Sequence, residues 1–128
     1  MSRREREARG RLAEAVAALC LRLKGYSILA RRWRTAVGEI DLVARRGGLV
    51  AFVEVKTRHT LVDALEAITP GQRQRVERAA ALYLQHHPQL ARCRLRFDVI
   101  AIRPWRLPHH LRDAWRGEAP PRRDQRLG

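Results

Sequence analysis

The stretch GEIDLVARRGGLVAFVEVKTR, residues 38–58, holds two short runs of alternating apolar residues around Gly47-Gly48. Period-two alternation on either side of a Gly-Gly pair predicts two antiparallel strands, over 38–45 and 49–57, joined by a two-residue turn. Such a turn pairs residues whose numbers sum to 95, so Asp41 faces Glu54 and Glu39 faces Lys56. Directly opposed side chains share one face of a sheet, with Cβ atoms roughly 4.5–5.5 Å apart. Alternation places Glu39, Asp41, Glu54 and Lys56 on that face, and Ile40, Leu42, Val53 and Val55 on the other as core residues. A slip of one residue would part the carboxylates.

Paired carboxylates repel unless a cation joins them. Two arrangements meet that need. In one, Lys56 and nearby arginines neutralise a solvated sheet face. In the other, the acids hold Mg²⁺ or Mn²⁺; Mg²⁺ takes a few hard oxygens and keeps several waters. Aspartate is depleted in strand interiors. The chain also places only two lysines, Lys24 and Lys56, among its 27 basic residues. Lysine is a compact donor whose pKa falls on burial, which suits work at an attacked water. The metal site is the preferred reading.

Outside this hairpin, a helix is predicted from about Glu5 to Lys24, with Leu12, Val16, Leu19 and Leu23 at helical spacing and Gly25 as the stop. Residues 26–34 suit a strand, and 59–68 a loop with a helical turn. Thr69-Pro70 opens a second helix that runs to about His87, buries Val76, Ala79, Ala80 and Tyr83, and uses Gln72 as a capping residue. Residues 94–102 form a final strand. The order helix, three strands, helix, strand predicts an α/β fold with a mixed central sheet. A single domain is expected over 1–116, with 117–128 as a disordered basic tail.

With 45% hydrophobic residues, the chain can build a packed core. No apolar run approaches eighteen residues, so no membrane span is expected. The charged N-terminus lacks the apolar core of a secretory signal, which points to the cytoplasm. Cys20 and Cys93 read as buried free thiols. The formal net charge of +14 attracts polyanions, nucleic acid foremost. Arg31, Arg32, Arg34, Arg45 and Arg46 are candidate phosphate contacts. The five histidines show no zinc spacing and read as surface residues. Asp98, alongside Arg94 and Arg96, reads as a structural ion pair. Trp33, Trp105 and Trp115 could stack on bases, although packing is the favoured role for them.

Asp41, a hairpin and then Glu54-Val55-Lys56 resemble the active-site signature of the PD-(D/E)xK nucleases. Over about residues 10–115, GRLAEAVAALCLRLKGYSILARRWR, GEIDLVAR, FVEVKTR, AITP, AALYL and RFDVIAI resemble the YraN family of predicted endonucleases. That resemblance implies a restriction-endonuclease-like αβββαβ core, similar to archaeal Holliday-junction resolvases. It also implies metal-dependent hydrolysis of DNA phosphodiesters, with branched or junction DNA as a candidate substrate. By position it makes Asp41 and Glu54 the metal-binding acids, Lys56 the catalytic lysine, and Glu14 a further acid at the metal. A snorkelling surface role for Glu14 stays open. For Glu39 a cross-strand salt bridge to Lys56 is slightly favoured. The family's Lys-Gln is replaced by Gln72-Arg73, so no role for that lysine carries over. A junction resolvase would act as a homodimer. The alternatives are a non-catalytic nucleic-acid-binding module on the same fold and a basic structural factor.

Overall fold

Gly47 takes φ +58°, a left-handed conformation that costs glycine little, and turns the chain between β2 (Glu39–Arg46) and β3 (Leu49–Thr57). In this computed structural model, which describes residues 2–117, the pairs run from Arg46↔Leu49 to Leu42↔Val53, the register expected from the turn. Before the hairpin come α1 (Arg3–Leu23) and β1 (Ser27–Arg34). After it come α2 (Leu61–Glu66), α3 (Pro70–His86), a 3₁₀ turn at Pro88–Leu90, β4 (Arg94–Ile102) and β5 (His109–Trp115). The five strands lie in the order β1-β2-β3-β4-β5, with β3 and β4 parallel and every other pair antiparallel. The chain is therefore α/β with a mixed sheet, as expected.

Two cores flank the sheet. On one face Ala17, Ala18 and Leu21 of α1 meet Leu42, Ala44, Ala51, Val53 and Ile100. On the other, Val76, Ala79, Ala80 and Tyr83 of α3 meet Ile40, Val43, Val50, Phe52 and Val99. Covered on both sides, β3 is buried continuously from Leu49 to Glu54, the pattern of an interior strand with a parallel neighbour. Both long helices start on hydroxyl caps. Ser2 Oγ accepts from the Glu5 N–H at 3.1 Å, and Thr69 Oγ1 from the Gln72 N–H at 3.2 Å.

Several expectations are corrected. The Leu12, Leu19 and Leu23 stripe of α1 faces solvent, at 65%, 55% and 80% exposure, while Ala13, Glu14, Ala17, Ala18 and Leu21 face the sheet. Alanines let the helix backbone approach a sheet face that is itself lined by Ala44 and Ala51. Leucines in their place would hold it off. Ile40 and Leu42, expected on one face, join opposite cores. Opposite them β1 carries Arg32 at φ +50°, and the regular β2–β3 ladder stops at Leu42↔Val53. This local twist turns Ile40 toward α3. The strand β5 has no alternating apolar signal and was not expected. It is held by its pairing to β4, including Phe97↔Trp115. Cys20 and Cys93 are half-buried free thiols. The expected tail beyond Gly117 lies outside the described residues, and among those no helix is long and apolar enough to cross a membrane.

Gly38 sits where β2 begins. A Cβ built on it would lie 2.4 Å from the Arg75 carbonyl oxygen of α3, so only glycine allows this approach.

The orientation of α1 is testable by paired truncations. Leu21→Ala should cost about 3 kcal/mol, as expected for a fully buried leucine, and Leu23→Ala less than about 0.5 kcal/mol. Urea denaturation of both variants checks this. Equal losses would mean that the leucine stripe is buried after all.

Candidate active site

The strands β2 and β3 part just beyond Leu42↔Val53, and Asp41 and Glu54 stand at that fork. There the Val55 N–H donates to Asp41 Oδ2 at 2.8 Å, so a side chain takes the place of the next ladder acceptor. Glu54 is buried, and its Oε1 has no hydrogen-bond partner. A buried, unpaired carboxylate oxygen is costly and calls for a cause.

Electrostatics show the same unmet charge. Burial pushes Glu54 well above its ordinary range, and the adjacent Asp41 carboxylate pushes it further. Asp41 is raised as well, chiefly by burial, against the lowering effect of the Val55 N–H. Lys56 favours the charged form of both acids but does not offset their burial.

The lysine is held from a direction that sequence reasoning missed. With its amide oxygen turned to Lys56, Gln72 accepts from Nζ at 3.1 Å and donates to the Ala67 carbonyl at 3.3 Å. The expected capping role of the Gln72 side chain is therefore replaced by a bridge to Lys56. Likewise Glu39 does not pair with Lys56. It accepts from its own cross-strand partner, Arg34 Nε, at 3.3 Å, because Arg34↔Glu39 is the β1–β2 register. Nothing in the local sequence distinguishes these partners, since Gln72 reaches Lys56 from another helix.

Glu14 is buried on the sheet side of α1 and shares a groove of about 480 Å³ with Asp41, Glu54, Lys56 and Gln72. Both its oxygens accept from Arg32 Nε. Burial raises its pKa most, Arg32 works to lower it, and Asp41 adds to the rise. Glu14 is thus near the pair but engaged by an arginine. Among the described residues no third Asp, Glu, His or Cys joins Asp41 and Glu54 in a metal-holding cluster. A buried and a half-buried carboxylate, with one orphaned oxygen between them, still fit an ion such as Mg²⁺, which is bound by one or two carboxylates and keeps much of its water.

The candidate phosphate contacts divide. Arg31 is exposed, Arg32 is bound to Glu14, and Arg34 to Glu39. Arg45 and Arg46 lie at the hairpin end of the sheet, away from the fork. There Arg45 Nε donates to the Gly47 carbonyl at 3.0 Å, and the Arg46 guanidinium sits 4.5 Å over the Tyr26 ring. Arg6, Arg9 and Arg58, which were not expected, line the groove instead.

Asp98 lies outside the groove, completely buried. It accepts from Arg96 Nε and Nη2 at 2.7 Å, from His110 Nε2 at 2.7 Å and from the Asp113 N–H at 2.9 Å. Burial works to raise its pKa, but these donors prevail and hold it low. Asp98 is the expected structural ion pair, with Arg96 and not Arg94. His110 is a buried member of it, contrary to the surface role expected of the histidines.

The model of the Uncharacterised protein family UPF0102 matches residues 13–102. The chain belongs to UPF0102. A UPF0102 protein of Paramagnetospirillum magneticum is 60% identical over 112 residues, covering 84% of this chain and 87% of the relative. Another from Rhizobium meliloti is 51% identical, covering 84% and 88%, and one from Mesorhizobium japonicum 50%, covering 91% and 93%. Glu14, Asp41, Glu54, Lys56 and Gln72 all fall inside the UPF0102 match, and β5 falls beyond it.

Raised carboxylate pKa values make a pH prediction. The folded chain binds protons at Asp41 and Glu54 more readily than the unfolded chain, so their contribution to stability falls as pH rises from about 4.5, the ordinary value for Glu54, through the raised folded value. Glu54→Gln removes one such charge. It should melt about 4 °C higher than the parent at pH 8 without added metal, on the order of 1 kcal/mol, and lose that advantage near pH 4. Melting curves of both proteins across pH check this. A variant less stable at pH 8 would show that the Glu54 charge is compensated in the fold.

Proposed function

We propose that this chain is a Mg²⁺- or Mn²⁺-dependent endonuclease that hydrolyses DNA phosphodiester bonds. The observation that carries the proposal is the buried Glu54 carboxylate. It has an orphaned oxygen, lies beside a second acid with a raised pKa, and opens on a groove lined by Arg6, Arg9 and Arg58. Glu54 is buried beside a half-buried second acid whose charge repels its own, and carboxylates perturbed in this way gather at functional sites. The likeness of Asp41…Glu54-x-Lys56 to the PD-(D/E)xK signature and of the chain to YraN points the same way. So does the net charge of +14.

Asp41 and Glu54 would hold the ion. When bound, it would polarise the phosphate and lower the pKa of an attacking water. Lys56 supplies a compact positive charge beside these acids, with Gln72 fixing its amine. That amine can position the water and offset the charge that builds on the pentacovalent phosphorus. The groove arginines hold the backbone in register and carry no sequence information. Glu14, bound to Arg32, lies in the same groove and feels the Asp41 charge. Two-strand cutting of a branched substrate would require two copies of the chain.

Incubation with branched, nicked and linear DNA, with and without Mn²⁺, tests the activity. Glu54→Gln should abolish cleavage while DNA affinity stays equal or tightens, because one negative charge facing the phosphates is gone. If parent and variant bind alike and neither cuts any substrate, the chain is a binding module. Added Mn²⁺ should raise the melting temperature of the parent and leave Glu54→Gln unmoved.

Lys56→Arg keeps the charge but replaces the ammonium with a broad fork. Cleavage should fall roughly 10²-fold or more, the scale of a misplaced catalytic group. Melting temperature and DNA affinity, measured on the same preparation, should barely change. Near-normal cleavage would reduce Lys56 to a charge.

A further inference from the structure

The three tryptophans separate cleanly. Trp33 packs edge-on against Tyr83, with ring centroids 5.2 Å apart, and Trp115 is buried and stacked on Phe97 at 5.1 Å. Trp105 is fully exposed, and its ring meets no aromatic or cationic partner among the described residues. It also sits at φ +60°, a conformation that bulky residues rarely adopt. Core packing accounts for neither feature. Strain of this kind persists where the surrounding structure enforces it, and it gathers at functional sites.

The turn around Trp105 is braced. Arg103 Nη2 donates to the Leu107 carbonyl at 3.3 Å, and the Arg106 N–H returns to the Arg103 carbonyl at 3.4 Å. The indole is thus presented at the tip of a closed loop between two arginines.

Its place in the fold matters most. Because β4 runs parallel to β3, the turn after β4 emerges at the same end of the sheet as Glu54 and Lys56, with Lys56↔Ala101 and Thr57↔Ile102 in register. The Arg58 N–H donates to the Ile102 carbonyl at 3.1 Å, tying the two strand ends together, and Arg58 lines the groove. Trp105 is four residue steps beyond Ala101, a reach of at most about 15 Å, or four to five nucleotide steps at roughly 3.4 Å each.

We propose that Trp105 is a stacking platform for an unpaired base of a nucleic acid whose backbone lies in the carboxylate groove. An exposed indole on a loop that also carries Arg103 and Arg106 matches the chemistry that binds single strands, in which aromatic faces take bases and cations take phosphates. This gives the site a preference for substrates with a single-stranded or splayed segment over closed duplex. The inference rests on the nuclease reading of that groove. It reaches beyond the family match, which ends at Ile102.

The test is binding in EDTA at about 0.1 M salt, so that no cleavage intervenes. The parent, Trp105→Ala and Trp105→Phe are compared on an oligo(dT) strand, a forked duplex and a blunt duplex. Trp105→Ala should weaken binding to the strand and the fork roughly 5- to 100-fold. Blunt-duplex affinity should change less than about twofold, and Trp105→Phe should retain most of the parent's affinity. Quenching of tryptophan fluorescence by oligo(dT) should shrink in both variants. Melting temperature should be unchanged, since the ring is fully exposed. Unaltered strand affinity, or an equal loss on blunt duplex, overturns the proposal. So does a change in sedimentation that marks Trp105 as a self-association contact. If the parent binds no nucleic acid in any form, the nuclease reading fails together with this one. If the parent binds and cuts but Trp105→Ala behaves like it, only the stacking role is lost.

Discussion

The burial of Glu54 beside Asp41 is the constraint around which the rest is arranged. Two carboxylates taken out of water repel each other and forgo solvation, and each of those costs falls on the folded state alone. The fold accepts them at the one place where β2 leaves β3, so that the freed Val55 N–H can bond to Asp41. Two unusual backbone features lie beside the fork. Gly38 lets β2 begin against the backbone of α3, and Arg32 adopts φ +50° opposite the fork.

Charge is then distributed around the fork with little duplication. Arg32 holds Glu14, Arg34 holds Glu39, and Lys56 is left to the central pair with Gln72 as its tether. The second lysine has an equally specific post. Lys24 Nζ lies 3.1 Å from His110 Nδ1, which continues through Asp98 and Arg96 to the Tyr26 hydroxyl. That chain ties the end of α1 to β4 and β5 and satisfies a carboxylate that is completely buried. The two buried acidic centres thus differ in kind. Asp98 accepts four hydrogen bonds and is held low in pKa, whereas Glu54 is left wanting and is held high. Saturation accounts for Asp98 as a structural group, and the deficit at Glu54 is the observation on which the proposed metal site rests.

Much of this is legible in the sequence. The Gly47-Gly48 pair and its flanking alternation set the hairpin register as far as Leu42↔Val53, whereas the direct Asp41–Glu54 pairing expected from it is replaced by the fork. Thr69-Pro70 marked the start of α3, and the apolar run at 94–102 marked β4. These features are local, and a few adjacent residues and fixed backbone geometry suffice for them. The face of α1 was misread because its leucines and its alanines both recur at helical spacing. Periodicity alone favours the larger residues, and β5 gave no periodic signal at all.

What the sequence by itself determined is the order of the elements, the hairpin pairing and a strong positive charge suited to a polyanion. Tertiary structure alone decided that alanines face the sheet, that Gln72 and not Glu39 holds Lys56, and that Trp105 stands exposed at the fork end of the sheet while Trp33 and Trp115 pack. The reason is distance along the chain. Residues far apart in sequence become partners only when sheet twist and helix spacing bring them together, and neither can be read from a short window of residues.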